Sequence, residues 1–166
     1  LGILTVGVVT KPFTFEGKPR MNNAMSGIAR LQDQVDTMIV IPNDKLLQIC
    51  DKRTTIPDAL KKADEVLQQG VQGITDMIYN PGLINVDFAD IQTVMRDKGI
   101  AHIGMGVADE ELEAIKTAME SPLLETTVAG ATDVIVNFAG AVGMLEAQQA
   151  VEYLKDEAGD DVNVIF

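Results

Sequence analysis

Apolar and polar residues alternate along this chain in blocks that switch between strand and helix periods. Residues 1–10, Leu1-Gly2-Ile3-Leu4-Thr5-Val6-Gly7-Val8-Val9-Thr10, form a nearly unbroken aliphatic and β-branched run. Such a run predicts a strand of parallel type, covered on both faces. A loop over 11–17 follows, and from about 20 to 34 the apolar positions Met21, Met25, Ile28 and Leu31 recur at helical spacing. Asp36-Thr37-Met38-Ile39-Val40-Ile41 predicts a second buried strand, ended by Pro42. The first forty residues therefore read as a strand, helix, strand unit. A short helix over 44–51 precedes a long one, in which Pro57 suits the first turn and Leu60, Val66, Leu67, Val71, Ile74 and Ile78 carry the apolar stripe to Tyr79. Pro81-Gly82 ends it. A helix of this length suits a spacer between two domains.

Beyond it the pattern predicts a helix over 88–98 closed by Gly99, a strand over 100–107, a helix over 109–119 stopping before Ser121-Pro122, a strand over 133–138, a helix over 144–157 and a last strand over 162–166. The fold class is α/β. Its expected divisions are residues 1–55, a connecting helix over 56–80, and a small α/β domain over 81–166.

With 166 residues, 46% of them hydrophobic, the chain can bury a sizeable core. Thirteen basic against 25 acidic residues give a net charge of −12, which disfavours nucleic acid and anionic membrane as direct partners. The single cysteine, Cys50, sits in a helix-like run and reads as a small, partly buried residue, in keeping with a reducing, cytoplasmic setting. No apolar run approaches the roughly 18 residues that span a bilayer, and no charged region precedes the opening apolar residues, so neither a membrane span nor a signal peptide is expected. The one histidine, His102, alternates within an apolar run and reads as structural. One histidine and one cysteine make neither a metal cluster nor a histidine-based triad. Gly104-Met105-Gly106 lacks the third glycine and downstream acid of a dinucleotide site.

Candidate chemistry concentrates in Gly82-Leu83-Ile84-Asn85-Val86-Asp87-Phe88-Ala89-Asp90. Asp87 and Asp90, three residues apart at a helix entrance, lie on one side of it, with Asn85 just upstream. A carboxamide can orient a water molecule there and a carboxylate can accept its proton. The same two aspartates also suit an N-cap and an acidic capping box favoured by the helix dipole. Glu16 and Arg20, on a loop entering a helix, offer an acceptor and a planar five-donor fork, or an ordinary i,i+4 pair. Asp64 lies on the long helix among Lys61, Lys62 and Glu65, a pattern that also fits a solvated charged face.

The stretch from Tyr79 through Asn80-Pro81-Gly82 to Asp90 closely resembles the synergy loop of FtsZ, the bacterial relative of tubulin. Thr10-Lys11-Pro12-Phe13, Phe15-Glu16-Gly17-Lys18-Pro19-Arg20, Ile41-Pro42-Asn43-Asp44, Val71-Gln72-Gly73-Ile74 and Ser121-Pro122-Leu123-Leu124-Glu125 resemble further FtsZ signatures, in family order and spacing. The resemblance covers essentially the whole chain, more loosely in its last third. It implies a tubulin/FtsZ-like fold: the second half of a Rossmann-like GTPase domain, a long central helix and a small C-terminal α/β domain. It implies Glu16, Arg20 and Asp64 as contacts to the sugar and base of GTP or GDP, and Asp87, Asp90 and Asn85 as a catalytic set inserted into the nucleotide site of the next subunit, with Mg at that intersubunit site. No resident metal is expected in the chain itself.

By the same resemblance the full-length protein self-assembles head to tail, meets other division proteins through regions outside this chain, and works at the midcell division ring. The phosphate-cradling GGGTGTG signature is absent, which makes the chain an expected internal piece, inactive alone. Three departures stand out: Leu60 where many relatives carry a phenylalanine against the guanine, and shortened stretches at 108–112 and 139–143. These keep open a second reading, a non-catalytic interaction module that binds or caps filaments. The strands at 1–10 and 36–41 would also present an open apolar edge.

Overall fold

The computed structural model describes residues 2–79 and 87–166. They form two compact units, residues 1–72 with 95–103 and residues 73–94 with 104–166. The domain boundary expected near Asn80, the helix end expected at Pro81-Gly82 and Asn85 lie outside the described residues.

In the first unit, β1 (Val6–Lys11) and β2 (Thr37–Pro42) run parallel in the register Val6↔Thr37 to Lys11↔Pro42, joined by helix α1 (Lys18–Gln32). A third strand, β3 (Gly99–Ala101), pairs in parallel with the other edge of β2, from Thr37↔Gly99 to Ile39↔Ala101. Every residue of β2 is buried, as its continuous apolar sequence requires in the middle of a parallel sheet. β1 starts at Val6, not at residue 1, because a ladder exists only where β2 lies alongside. Pro42 closes β2 as its last paired residue, where a missing N–H costs least. Helix α1 has the expected apolar spacing but no buried residue, and Met25 and Leu31 remain exposed.

The strand ends are fastened by side chains. Asp36 accepts from the Thr5 amide at 2.9 Å, and the Asp36 amide donates back to the Thr5 carbonyl at 2.8 Å. That bond, with help from Asp97 and the Arg96 charge, outweighs desolvation and holds the Asp36 carboxyl below the usual carboxylate range. A depressed folded-state pKa contributes stability above the unfolded value of about 3.9 and loses it as pH falls through the folded value. Asp36→Asn is therefore expected to melt below the parent at pH 7, with the gap closing at pH values below about 4. Thermal midpoints of both proteins across that range check it, and a gap independent of pH would contradict it.

One turn of helix, α2 (Asn43–Leu46), leads to the long α3 (Ile56–Tyr79). Its start is a reciprocal cap in which the Thr55 hydroxyl donates to Asp58 Oδ2 and accepts from the Asp58 amide at 3.3 Å. Ala59, Ala63, Val66 and Gly70 form its buried stripe. The stripe is built of small residues because α3 lies close to its neighbours: a Cβ on Gly70 would come within 3.3 Å of Ile103 Cδ1.

Helix α4 (Phe88–Met95) ends three residues earlier than its pattern predicts, and Asp97 (φ 54°) and Gly99 (φ 79°) turn the chain into β3 through left-handed backbone. In the second unit, α5 (Glu111–Met119) and α6 (Met144–Ala158) pack over the parallel pair β4 (Asp133–Ile135) and β5 (Asn163–Ile165). Ile115, Ala150 and Leu154 are the buried centre, with Leu112, Val134, Val136 and Phe138 around them. The strand expected over 100–107 stops at Ala101, because Gly104 and Gly106 press against the α5 backbone instead of continuing the ladder.

Candidate functional site

Parallel register brings the carboxyl ends of β1 and β2 side by side, so the loop after Lys11 and the turn after Pro42 leave the sheet at the same edge. Open α/β sheets place ligands at this edge. After β1, Phe13 is fully buried and Phe15 stacks on it, ring centroids 4.9 Å apart, while staying 52% exposed. The buried ring anchors the loop, and a 3-10 turn over Thr14–Glu16 brings the chain round. Glu16 Oε2 accepts from the Phe13 amide at 2.7 Å, and its Oε1 meets Arg20 Nε at 3.2 Å. Gly17 (φ 102°) allows the sharp entry into α1 that sets Arg20 one turn beyond Glu16. An ion pair with so exposed a guanidinium is worth only about 0–1 kcal/mol, so stability does not account for it.

After β2, Asp44 Oδ1 accepts from the Thr14 amide at 2.8 Å and its Oδ2 from the Thr14 hydroxyl, fastening the Glu16 loop to the start of α2. Next to it, Asn43 is 5% exposed and its Oδ1 has no hydrogen-bond partner. A buried carbonyl oxygen left unpaired costs about 1–3 kcal/mol. Sequence reasoning singled out Glu16 and Arg20 and missed Asn43. Its sequence signals are its place directly after a buried parallel strand and within the Ile41-Pro42-Asn43-Asp44 stretch, and the orphaned oxygen is visible only once neighbours are in place.

Asp64 is exposed on α3, opposite the buried Ala63 and Val66, and the structure gives it no hydrogen bond to Glu16, Arg20 or Asn43. Leu60, one turn earlier, is 42% exposed. Glu16 and Arg20 are thus brought together, and Asp44, the neighbour of Asn43 in sequence, fastens their loop, while Asp64 belongs to the same unit without a hydrogen bond to them.

Asp87 and Asp90 stand at the entrance of α4, in the second unit, and both are exposed. The Asp87 amide donates to Asp90 Oδ2 at 3.3 Å and the Ala89 amide to Asp87 Oδ1 at 3.3 Å, the mutual arrangement of a capping box. These long bonds engage one oxygen of each carboxylate. Asn85, expected to act with them, lies outside the described residues.

The Asn43–Glu16–Arg20 edge fits a nucleoside. An unpaired carbonyl acceptor, a carboxylate and a guanidinium with free N–H groups can bind amino and hydroxyl donors and a base edge. Among the described residues, no group of three or more His, Cys, Asp or Glu side chains is placed to hold a metal ion, and no helix is long and apolar enough to cross a membrane.

Residues 1–51 match the Tubulin/FtsZ family GTPase domain, and residues 99–166 match the FtsZ family C-terminal domain. Among solved structures, an empty FtsZ dimer from M. jannaschii is 42% identical at a TM-score of 0.92, an alignment covering 99% of this chain and 49% of that one. A tryptophan-to-tyrosine mutant of FtsZ from M. jannaschii is 41% identical at a TM-score of 0.92, covering 99% of this chain and 51% of that one. The chain spans about half the length of the solved FtsZ chains it matches. Both segments and both neighbours lead to one conclusion: the chain belongs to the tubulin/FtsZ family.

Proposed function

We propose that this chain is part of a GTP-dependent, self-assembling GTPase, supplying nucleoside contacts from its first unit and a water-positioning loop to the GTP of an adjacent subunit. The orphaned oxygen of Asn43, next in sequence to the Asp44 that fastens the Glu16 loop, carries the first half of the reading, since it is an acceptor the fold pays to leave open. Glu16 would accept from the ribose hydroxyls, Arg20 would lie along the purine edge, and Asp64 would accept two N–H groups of guanine. Leu60 would cover the base without ring stacking, which lowers base affinity relative to an aromatic residue.

Support for the second half comes from the carboxylates of Asp87 and Asp90, both exposed at the entrance of α4 and each with one oxygen in a long capping bond. Phosphoryl transfer to water needs an oriented nucleophile and stabilisation of developing charge. Two carboxylates repel a triphosphate unless water or a cation lies between, so they act on the attacking water: one accepts its proton, the other and Asn85 fix its direction. Mg, bound with the nucleotide, would offset phosphate charge. A loop given in trans makes hydrolysis depend on head-to-tail contact, as an assembling scaffold of the midcell division ring in the cytoplasm requires. Contacts to other division proteins would fall to parts outside this chain.

The deciding experiment is titration with fluorescent GTP of the chain alone and of the chain mixed with a separately made polypeptide carrying the phosphate-binding half of an FtsZ GTPase domain. Tight binding and turnover are expected only in the mixture. Binding by neither sample would leave the chain a non-catalytic interaction module.

A further inference from the structure

Two consecutive amides hold the loop that carries Glu16. The Phe13 amide donates to Glu16 Oε2 at 2.7 Å, and the Thr14 amide donates to Asp44 Oδ1 at 2.8 Å. Asp44 Oδ2 also accepts from the Thr14 hydroxyl, so both oxygens of one carboxylate grip one residue across thirty positions of sequence. Phe13 is fixed by its fully buried ring, and the last paired residues of β1 and β2, Lys11 and Pro42, bring the two turns to one edge.

Glu16 owes its place to this short chain of contacts. Its Oε2 follows the Phe13 amide, its Oε1 meets Arg20 Nε at 3.2 Å, and the peptide that joins Phe13 to Thr14 is the one that Asp44 holds. A carboxylate has about four acceptor directions, so two such bonds do not exhaust it. Thr14 is exposed and adds nothing to the buried core, so the grip of Asp44 sets where the loop stands.

We propose that Asp44 is a positioning residue for sugar recognition: through Thr14 it holds the Glu16 carboxylate where it distinguishes a ribonucleotide from a 2′-deoxyribonucleotide. The inference rests on the reading of Glu16 as the acceptor for ribose hydroxyls. A hydrogen bond weakens steeply with distance and angle, so an acceptor that tells two hydroxyls from one must be held still. A carboxylate on a swinging loop follows whichever donor is present and loses the distinction. Pinned, it makes its second bond only where the 2′-hydroxyl stands. Asp44 acts through Thr14 and Phe13 and does not itself touch the sugar.

The test titrates unlabelled GTP and 2′-deoxy-GTP by calorimetry into the whole chain mixed with the phosphate-binding half, and follows amide hydrogen exchange in the chain alone. The parent mixture is expected to bind GTP about tenfold more tightly than 2′-deoxy-GTP. Asp44→Ala is expected to weaken GTP by about tenfold and 2′-deoxy-GTP by only about threefold, so the preference falls to about threefold. Asp44→Asn should restore it, because the carboxamide still accepts from the Thr14 amide and can donate to the Thr14 hydroxyl oxygen. Thr14→Val, which keeps the amide bond at an exposed position, should move the preference in the direction of Asp44→Ala. In the chain alone, the amides of Phe13 and Thr14 should exchange at least about fivefold faster in Asp44→Ala than in the parent. Thermal midpoints verify that each variant is folded. An unchanged preference in Asp44→Ala, an equal loss for both nucleotides or unchanged exchange in the loop would each overturn the proposal and leave Glu16 as a nucleoside contact. Binding of neither nucleotide by the parent mixture would overturn the reading of Glu16, and the proposal with it.

Discussion

Gly106→Ala is expected to unfold this chain at a markedly lower temperature than the parent. A Cβ built on Gly106 lies 2.0 Å from the Ala114 carbonyl oxygen and 2.5 Å from the Ala118 amide nitrogen. Both are backbone atoms of α5, fixed by the helix ladder, so no side-chain rotation relieves the clash. Gly104 meets the Ala118 carbonyl oxygen at 2.3 Å by the same measure. Relief requires that the segment and α5 separate, which opens the packing around Ile115, Ala150 and Leu154. Overpacking of this kind costs about 3 kcal/mol or more when backbone blocks relaxation. For a chain of this size that is a fall in midpoint of about 6–12 °C. Gly27→Ala is the control: it lies within α1 with nothing inside 4 Å of the added Cβ, so helix propensity alone acts and the change stabilises by up to about 1 kcal/mol. Parallel thermal and urea unfolding of the two variants decide it, and equal midpoints would show that α5 yields to the added methyl.

Those glycines also show where sequence reading stops. Hydrophobic period placed all five longer helices, because a stripe repeating every three or four residues is a property of the helix itself. Strand length is not local. A run stays a strand only while a neighbour pairs with it, so the apolar residues before Val6 and after Ala101 carry the composition of a ladder without forming one. Gly104 and Gly106 read as a weak dinucleotide fingerprint and prove to be contact points on α5. Likewise, the spacing of Met25 and Leu31 identifies a helix but says nothing about whether anything covers the stripe, and both remain exposed.

The site divides in the same way. The four-residue spacing of Glu16 and Arg20 already implied a pair, and the pair is present at 3.2 Å. That Asp44 fastens this loop, and that Asn43 keeps an unpaired oxygen beside it, depends on a contact thirty residues apart in sequence between Thr14 and Asp44. No periodicity encodes such a contact. For Asp87 and Asp90 the two readings made from sequence, capping and chemistry, involve different oxygens of the same carboxylates, so the observed capping bonds do not choose between them.

Substitution can separate them, because a cap and a proton acceptor need different chemistry. Serine is as good an N-cap as aspartate, so Asp87→Ser keeps an oxygen for the Ala89 amide and should shift stability by no more than a few tenths of a kcal/mol, whereas Asp87→Ala loses the cap at a cost of about 1 kcal/mol. Glutamine at position 90 can likewise still accept from the Asp87 amide. Neither hydroxyl nor carboxamide is a base near neutral pH. In the mixture with the phosphate-binding half, Asp87→Ser and Asp90→Gln are therefore expected to bind GTP as the parent does and to lose turnover by about 10²-fold or more, the contribution typical of a positioned acid or base. A factor of 10² is about 2.7 kcal/mol of transition-state stabilisation, larger than any effect a retained cap leaves on folding. The two measurements move independently under the catalytic reading: turnover falls while the thermal midpoint holds. Under the capping reading, Asp87→Ala lowers the midpoint and Asp87→Ser restores both midpoint and turnover. Recovery of turnover by serine would remove Asp87 from the chemistry and leave it as the residue that starts α4.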